Sequence, residues 1–206
     1  MPLSRRLVLG LPLALLIRPP AASAADPGSA PTALIEHFYA DLLAVMKEAK
    51  RLTFDQRYQR LAPAIGRTFD LALMTRIAVG PGWTQLQPDQ QQRLTGAFAQ
   101  YTISIYANRF DGYGGERFEV TPKAVPNPNG VVVDSRLVKA NGETVMLNYL
   151  MRQGAGGIWK VIDVFLSGTV SELATRRSEF LSVLQQGGAE ALVRMLEKRT
   201  AELRAG

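Results

Sequence analysis

The chain contains no cysteine and a single histidine, His37. Without thiols, structural disulfides, thiolate metal sites and a cysteine nucleophile are excluded, and stability has to come from a packed core. His37 lies one helical turn before Asp41, close enough for a histidine–carboxylate pair. No serine stands in a Gly-x-Ser-x-Gly elbow that would give such a pair a nucleophile. His37 therefore reads as a helix-surface or partly packed histidine, and no catalytic residue is assigned. His, Asp and Glu do not occur at metal-ligand spacing, so neither a metal nor another cofactor is expected. The groups Gly112, Gly114, Gly115 and Gly154, Gly156, Gly157 do not follow a strand and open a helix, so they read as turns rather than phosphate cradles. Asp134, Asp163, Glu172 and Glu179 are scattered, and the sequence alone does not bring any two together.

Charge of one sign is also scarce once the first residues are set aside. Ser4, Arg5 and Arg6 form a short basic start, Leu7 to Ile17 is an uncharged apolar run, and Ala22-Ser23-Ala24 has the small-x-small pattern of a cleavage site. The run is too short to span a bilayer, which takes roughly 20 apolar residues. Residues 1–24 are thus expected to be a signal peptide, with 25–31 a linker and 32–206 one domain. Ser4-Arg5-Arg6-Leu7-Val8-Leu9 resembles a twin-arginine signal. Two arginines before an apolar run are also ordinary in general-pathway signals, so both export routes stay open. The leader carries three arginines, Arg5, Arg6 and Arg18, and no acid, so its removal lowers the net charge from +6 to +3. That balance lacks the basic stripe of a nucleic-acid binder, and no nucleic-acid partner is expected.

Helical periodicity begins at Thr32, with Leu34, Phe38, Leu42, Val45 and Met46 on one stripe. A second helix starts after the N-cap candidate Thr53, and a third covers Asp70 to Val79 until Gly80-Pro81-Gly82 stops it. Pro88 opens a long fourth helix with Leu94, Phe98, Tyr101, Ile105 and Phe110 along one side. The period then changes. Arg117–Val125, Val131–Lys139, Thr144–Arg152 and Ile158–Leu166 read as four strands of an antiparallel meander, with an Asn141-Gly142 turn in which both residues need positive φ. After Gly168 the helical period returns from Ser171-Glu172, breaks at Gly187-Gly188, and resumes from Ala189 to Leu203. Helices, then a meander, then helices define an α+β domain.

Strict alternation puts Val145, Leu147, Tyr149 and Met151 on one face of the third strand and Met146, Asn148 and Leu150 on the other. On the fourth, Ile158, Lys160, Ile162, Val164 and Leu166 alternate with Trp159, Val161, Asp163 and Phe165. Both faces are mostly apolar, so a wrapped helix, a partner or a ligand is expected against the second as well as the first. Arg176, Arg177, Arg194, Lys198 and Arg199 gather near the C terminus. They form either a solvated face or a surface for an anionic membrane or an acidic transporter partner.

Trp159-Lys160-Val161-Ile162-Asp163-Val164, Gly168-Thr169-Val170-Ser171-Glu172-Leu173-Ala174 and Arg176-Arg177-Ser178-Glu179-Phe180 resemble the MlaC/toluene-tolerance family. Trp83-Thr84-Gln85-Leu86 and Tyr106-Ala107-Asn108-Arg109-Phe110 fit it too. The Ser171–Phe180 stretch is most similar to the hopanoid-associated HpnM branch. The resemblance implies a periplasmic, non-enzymatic protein with an apolar pocket between sheet and helices. It would carry a hopanoid or a phospholipid between an inner-membrane lipid transporter and an outer-membrane acceptor. The residues expected to line that pocket are Phe98, Tyr101, Ile105, Val145, Leu147, Tyr149, Ile162 and Val164. The alternatives are a general phospholipid carrier, or an enzyme or adaptor on the same frame. An enzyme would need polar groups converging in the cavity, and an adaptor would have no large cavity.

Overall fold

The computed structural model describes residues 29–206. The expected leader and the first part of the linker lie outside that range. Helix α1 (Ser29–Glu48) already includes the end of the expected linker, with Pro31 in the first turn, where its missing N–H is not needed. Its apolar stripe buries Ile35, Phe38, Leu42, Val45 and Met46. Helix α2 (Phe54–Thr68) starts on the Thr53 cap: the Thr53 hydroxyl accepts from the Gln56 N–H, and the Gln56 side chain accepts from the Thr53 N–H. Helix α3 (Leu71–Val79) is capped by the Asp70 carboxylate, which accepts from the Leu73 N–H. Helix α4 (Pro88–Arg109) begins at its proline, and helix α5 (Glu172–Ala205) is broken at Gly188, where φ is 66° and ψ is −168°. The break falls where the Gly187-Gly188 pair placed it.

The sheet has seven strands rather than four: β1 (Arg117–Val120), β2 (Val125–Asn127), β3 (Gly130–Val133), β4 (Ser135–Val138), β5 (Thr144–Gln153), β6 (Trp159–Leu166) and β7 (Val170–Ser171). The two ranges read as single strands, Arg117–Val125 and Val131–Lys139, are each interrupted. β4 and β3 share one edge of β5, pairing with Thr144–Met146 and Tyr149–Met151, while β6 takes the other edge. β5 is ten residues long. A long strand twists, so a neighbour following it has to bend, here at Asp134.

Two turns differ from the expected chemistry. Only Gly142 (φ 85°) of the Asn141-Gly142 pair has positive φ, and the Lys139 carbonyl accepts from the Gly142 N–H at 2.9 Å. That is a three-residue loop closed by a glycine in the left-handed region, not a two-residue turn. Consecutive positive φ values fall instead at Gly156 (73°) and Gly157 (75°), between β5 and β6, and at Ser167 (53°) and Gly168 (80°), between β6 and β7.

The helices cover the sheet face that carries Val133, Tyr149, Met151, Val161 and Val164, which join α1–α5 side chains in one buried core. A β-bulge alters that face. Leu150 pairs with Asp163 and Met151 with Val161, leaving Ile162 as the extra residue. One inserted residue reverses alternation beyond it. Val161 therefore lies in the helix-side core, and Ile162, although buried, stands outside it with Leu150. The second face is apolar at Val132, Leu150, Ile162 and Phe165, with Val125 and Met146 exposed along it.

Candidate functional site

Between α4 and the sheet lies a cavity of about 90 Å³. From α4 come Phe98, Thr102, Ile105 and Tyr106, with Phe110 just beyond the helix; from the sheet come Leu147, Tyr149, Val164 and Leu166. Phe69 and Met74 close one end, and Leu173 of α5 forms a further wall. Phe98 meets Phe180 of α5 edge to face, with ring centroids 6.3 Å apart, which ties the two helices together beside the cavity.

Five of the eight residues expected at the pocket line it: Phe98, Ile105, Leu147, Tyr149 and Val164. The other three do not. Tyr101 faces α5 instead, with its ring beneath the Arg176 guanidinium at 5.1 Å. Val145 pairs with Leu137 near the β4 end of β5, past the cavity. Ile162 is turned away by the bulge. The sequence reading missed Phe69, Met74, Thr102, Tyr106, Phe110, Leu166, Leu173 and three charged residues, Arg109, Glu172 and Arg176. A helical i, i+4 spacing links Glu172 to Arg176 and could have flagged that pair.

Behind the wall formed by Tyr106 and Tyr149 lies an aromatic cluster with a buried hydroxyl chain. The Ser135 hydroxyl donates to the Leu147 carbonyl, so Tyr39 donates in turn to Ser135 at 2.6 Å. The Tyr149 ring meets Tyr39 edge to face, with centroids 5.9 Å apart. Burial pushes the Tyr39 phenol up to about 12. It raises Tyr106 and Tyr149 as well, with the neighbouring tyrosines opposing ionisation further. These groups stay neutral at any physiological pH, and Tyr106 and Tyr149 line the cavity.

The mouth is charged. Asp163 organises it. Its carboxylate accepts from the Val164 N–H at 2.8 Å, the Leu173 N–H at 3.3 Å and the Ser171 hydroxyl at 2.5 Å, which fixes the start of α5 on β6. Glu172 and Arg176 then sit one turn apart on the rim, paired at 3.1 Å, with side chains only 25 % and 17 % exposed. Arg109 closes the C-terminal end of α4 at the same rim and is exposed.

Elsewhere the expected polar groupings are spent. Asp41 is bonded to Arg67 at 2.9 Å, and His37 is exposed on α1, so they do not form a catalytic pair. Of the basic C-terminal group, Arg176, Lys198 and Arg199 pair with Glu172, Glu202 and Glu179, and Arg177 donates to the Ile77 carbonyl. No described helix is long and apolar enough to cross a membrane.

Fold and site together define an α+β domain built around an apolar cavity with a charged mouth. A profile of the MlaC protein family matches residues 36–198, and the chain belongs to that family. Among solved structures it is similar to a phospholipid-binding protein from Ralstonia solanacearum, solved in complex with a phospholipid. The two share 29% sequence identity at a TM-score of 0.73, covering 84% of this chain and 98% of that one. No curated protein matches the chain.

Proposed function

We propose that the protein is a periplasmic lipid carrier, without catalytic activity, that accepts a membrane lipid from an inner-membrane transporter or an outer-membrane partner and shields its tails between them. The observation that carries this reading is the cavity: apolar walls from α4, β5 and β6, neutral tyrosines among them, and charge supplied only by Arg109, Glu172 and Arg176. Hydrocarbon leaving a bilayer for water loses roughly 0.8 kcal/mol per CH₂, so a diacyl lipid needs such walls to cross an aqueous compartment. The phospholipid bound by the Ralstonia solanacearum protein supports a phospholipid as cargo. The likeness of Ser171–Phe180 to the hopanoid branch makes a hopanoid the comparison to run beside it.

At about 90 Å³ the cavity is smaller than the roughly 300–1,000 Å³ of pockets that bury a drug-sized ligand. Loading a whole lipid therefore requires the cavity to widen. Mass spectrometry of lipid extracted from the purified mature protein tests the reading. Lipid released only by denaturation or detergent is the expected result. Protein that is lipid-free and takes up neither phospholipid nor hopanoid in vitro overturns it.

A further inference from the structure

We infer that the far end of the sheet carries a second binding site, for a single carboxylated sugar ring (a hexuronate), with Trp159 as its platform and Arg152 as its cation. The inference goes beyond the carrier reading and does not rest on it. The site shares no lining residue with the cavity under α4, and Arg152 lies about 16 Å along β5 from Leu147 at roughly 3.3 Å per residue.

A recess of about 400 Å³ opens there between the β2–β3 turn and the end of the β5–β6 pair, lined by Pro128, Asn129, Gly130, Arg152, Gln153 and Trp159. Its walls are fixed. The Asn127 side chain accepts from the Asn129 N–H at 2.9 Å, and Gln153, the register partner of Trp159, donates to the Gly157 carbonyl at 3.0 Å. The lining selects the ligand class. No Leu, Ile, Val or Met contributes, so a hydrocarbon tail gains little here. No carboxylate contributes either, and exposed Arg152 makes no ion pair or hydrogen bond among the described residues, so an anion is favoured. One guanidinium matches one carboxylate through two parallel N–H donors, whereas a nucleotide phosphate dianion would keep a charge unbalanced. Trp159 is half-buried and packs against the core, and its indole N–H has no partner among the described residues. An indole combines a broad apolar face with one donor. That suits a pyranose, which has an apolar C–H face and hydroxyls at its edge. The Asn129 side chain and the Gln153 Oε1 atom are unbonded and supply partners for those hydroxyls.

The test uses the full mature protein in calorimetric titration with methyl β-glucuronide and with methyl β-glucoside. These share the ring and differ in the carboxylate. Wild type is expected to bind the glucuronide with a Kd of about a millimolar, the range of a small ligand with few contacts. The glucoside is expected to bind about threefold more weakly, as for a charge pair at an exposed site. Arg152→Gln should abolish that preference, and Asn129→Ala should weaken both sugars about threefold. The chain has two tryptophans, so Trp83→Phe leaves Trp159 as the only one, and its fluorescence should change saturably with the glucuronide. Circular dichroism melts establish that each variant is folded. Should Trp83→Phe fail to fold, exposed Arg152→Gln and Asn129→Ala locate the site by themselves.

Binding of neither sugar, equal binding of the two by wild type, or a preference that survives in Arg152→Gln overturns the uronate site and leaves the carrier reading intact. A glucuronide that binds without changing the Trp159 emission of folded Trp83→Phe overturns it as well. Acetate is titrated beside the sugars. If it binds as tightly as the glucuronide, the recess is a site for a bare carboxylate and the sugar assignment is overturned.

Discussion

Leu147→Arg separates cavity wall from packed core. Leu147 sits in the middle of β5, opposite Leu166, with its side chain on the cavity and its carbonyl bonded by Ser135. In a sealed core an unpaired guanidinium costs several kcal/mol, a large share of the roughly 5–15 kcal/mol that holds a domain together. Here the cavity leads from Leu147 to a rim where Glu172 stands. The arginine stem can lie along the apolar walls while its head reaches that rim and water. What is lost is part of the leucine's burial, about 1–3 kcal/mol. For a domain of this length that lowers the melting temperature by about 2–12 °C. The variant should stay folded by circular dichroism and yield no lipid on organic extraction, because the stem fills the space for a tail. Failure to obtain it folded would show that Leu147 is core. A folded variant with full lipid occupancy would place the cargo elsewhere, with the apolar second face around Leu150 and Phe165 the next surface to examine.

Three further outcomes are expected. His37→Ala should leave lipid uptake within about twofold of wild type, since the residue is exposed and Asp41 belongs to Arg67; loss of uptake in a folded variant would reopen an enzymatic role. Gly130→Ala should destabilise by about 3 kcal/mol or more, because φ is +146° and the new methyl would collide with the Met151 carbonyl; an unchanged melting temperature would contradict the β3–β5 register. Unfolded tyrosine loses its proton near its ordinary 10, whereas folded Tyr39 keeps it up to about 12. Stability present below pH 10 should therefore be lost as pH rises from about 10 to 12, and Tyr39→Phe should flatten that decline in melts across the range. A wild-type profile with no alkaline decline would refute the buried hydroxyl chain.

The helices were readable from sequence because their signals are local. Thr53 with Gln56, Asp70, Pro88 and Gly188 each act within a turn of their own position, and the structure uses each one. The sheet was readable in composition and less so in register. Nothing near Ile162 announces a bulge. It arises from pairing with Leu150 and Met151, and it moves Ile162 from the expected pocket face to the other. Tyr101 shows a related limit: it shares a helical stripe with Phe98 and Ile105, yet its ring lies under Arg176 of α5 and not in the cavity. The charged mouth was least visible, since Arg109 and Glu172 lie far apart in the chain and meet only when α5 folds back over α4.

That return of α5 has a consequence for how the protein is made. The helix supplies Leu173 to the cavity wall, sets Phe180 against Phe98, and buries Leu192, Val193 and Leu196 in the same core as Leu94. Near its end the Leu203 carbonyl accepts from Asn108, and Arg204 reaches Asp55 at 2.8 Å. The last three of these contacts join residues about 80 to 150 positions apart, the kind of separation that slows folding. A chain emerging N terminus first, from a ribosome or a membrane channel, holds α4 with its apolar stripe uncovered until residues 172–205 are out. The wall that α5 gives the cavity is synthesised after every other element that lines it, so the site is incomplete until residues 172–205 have emerged.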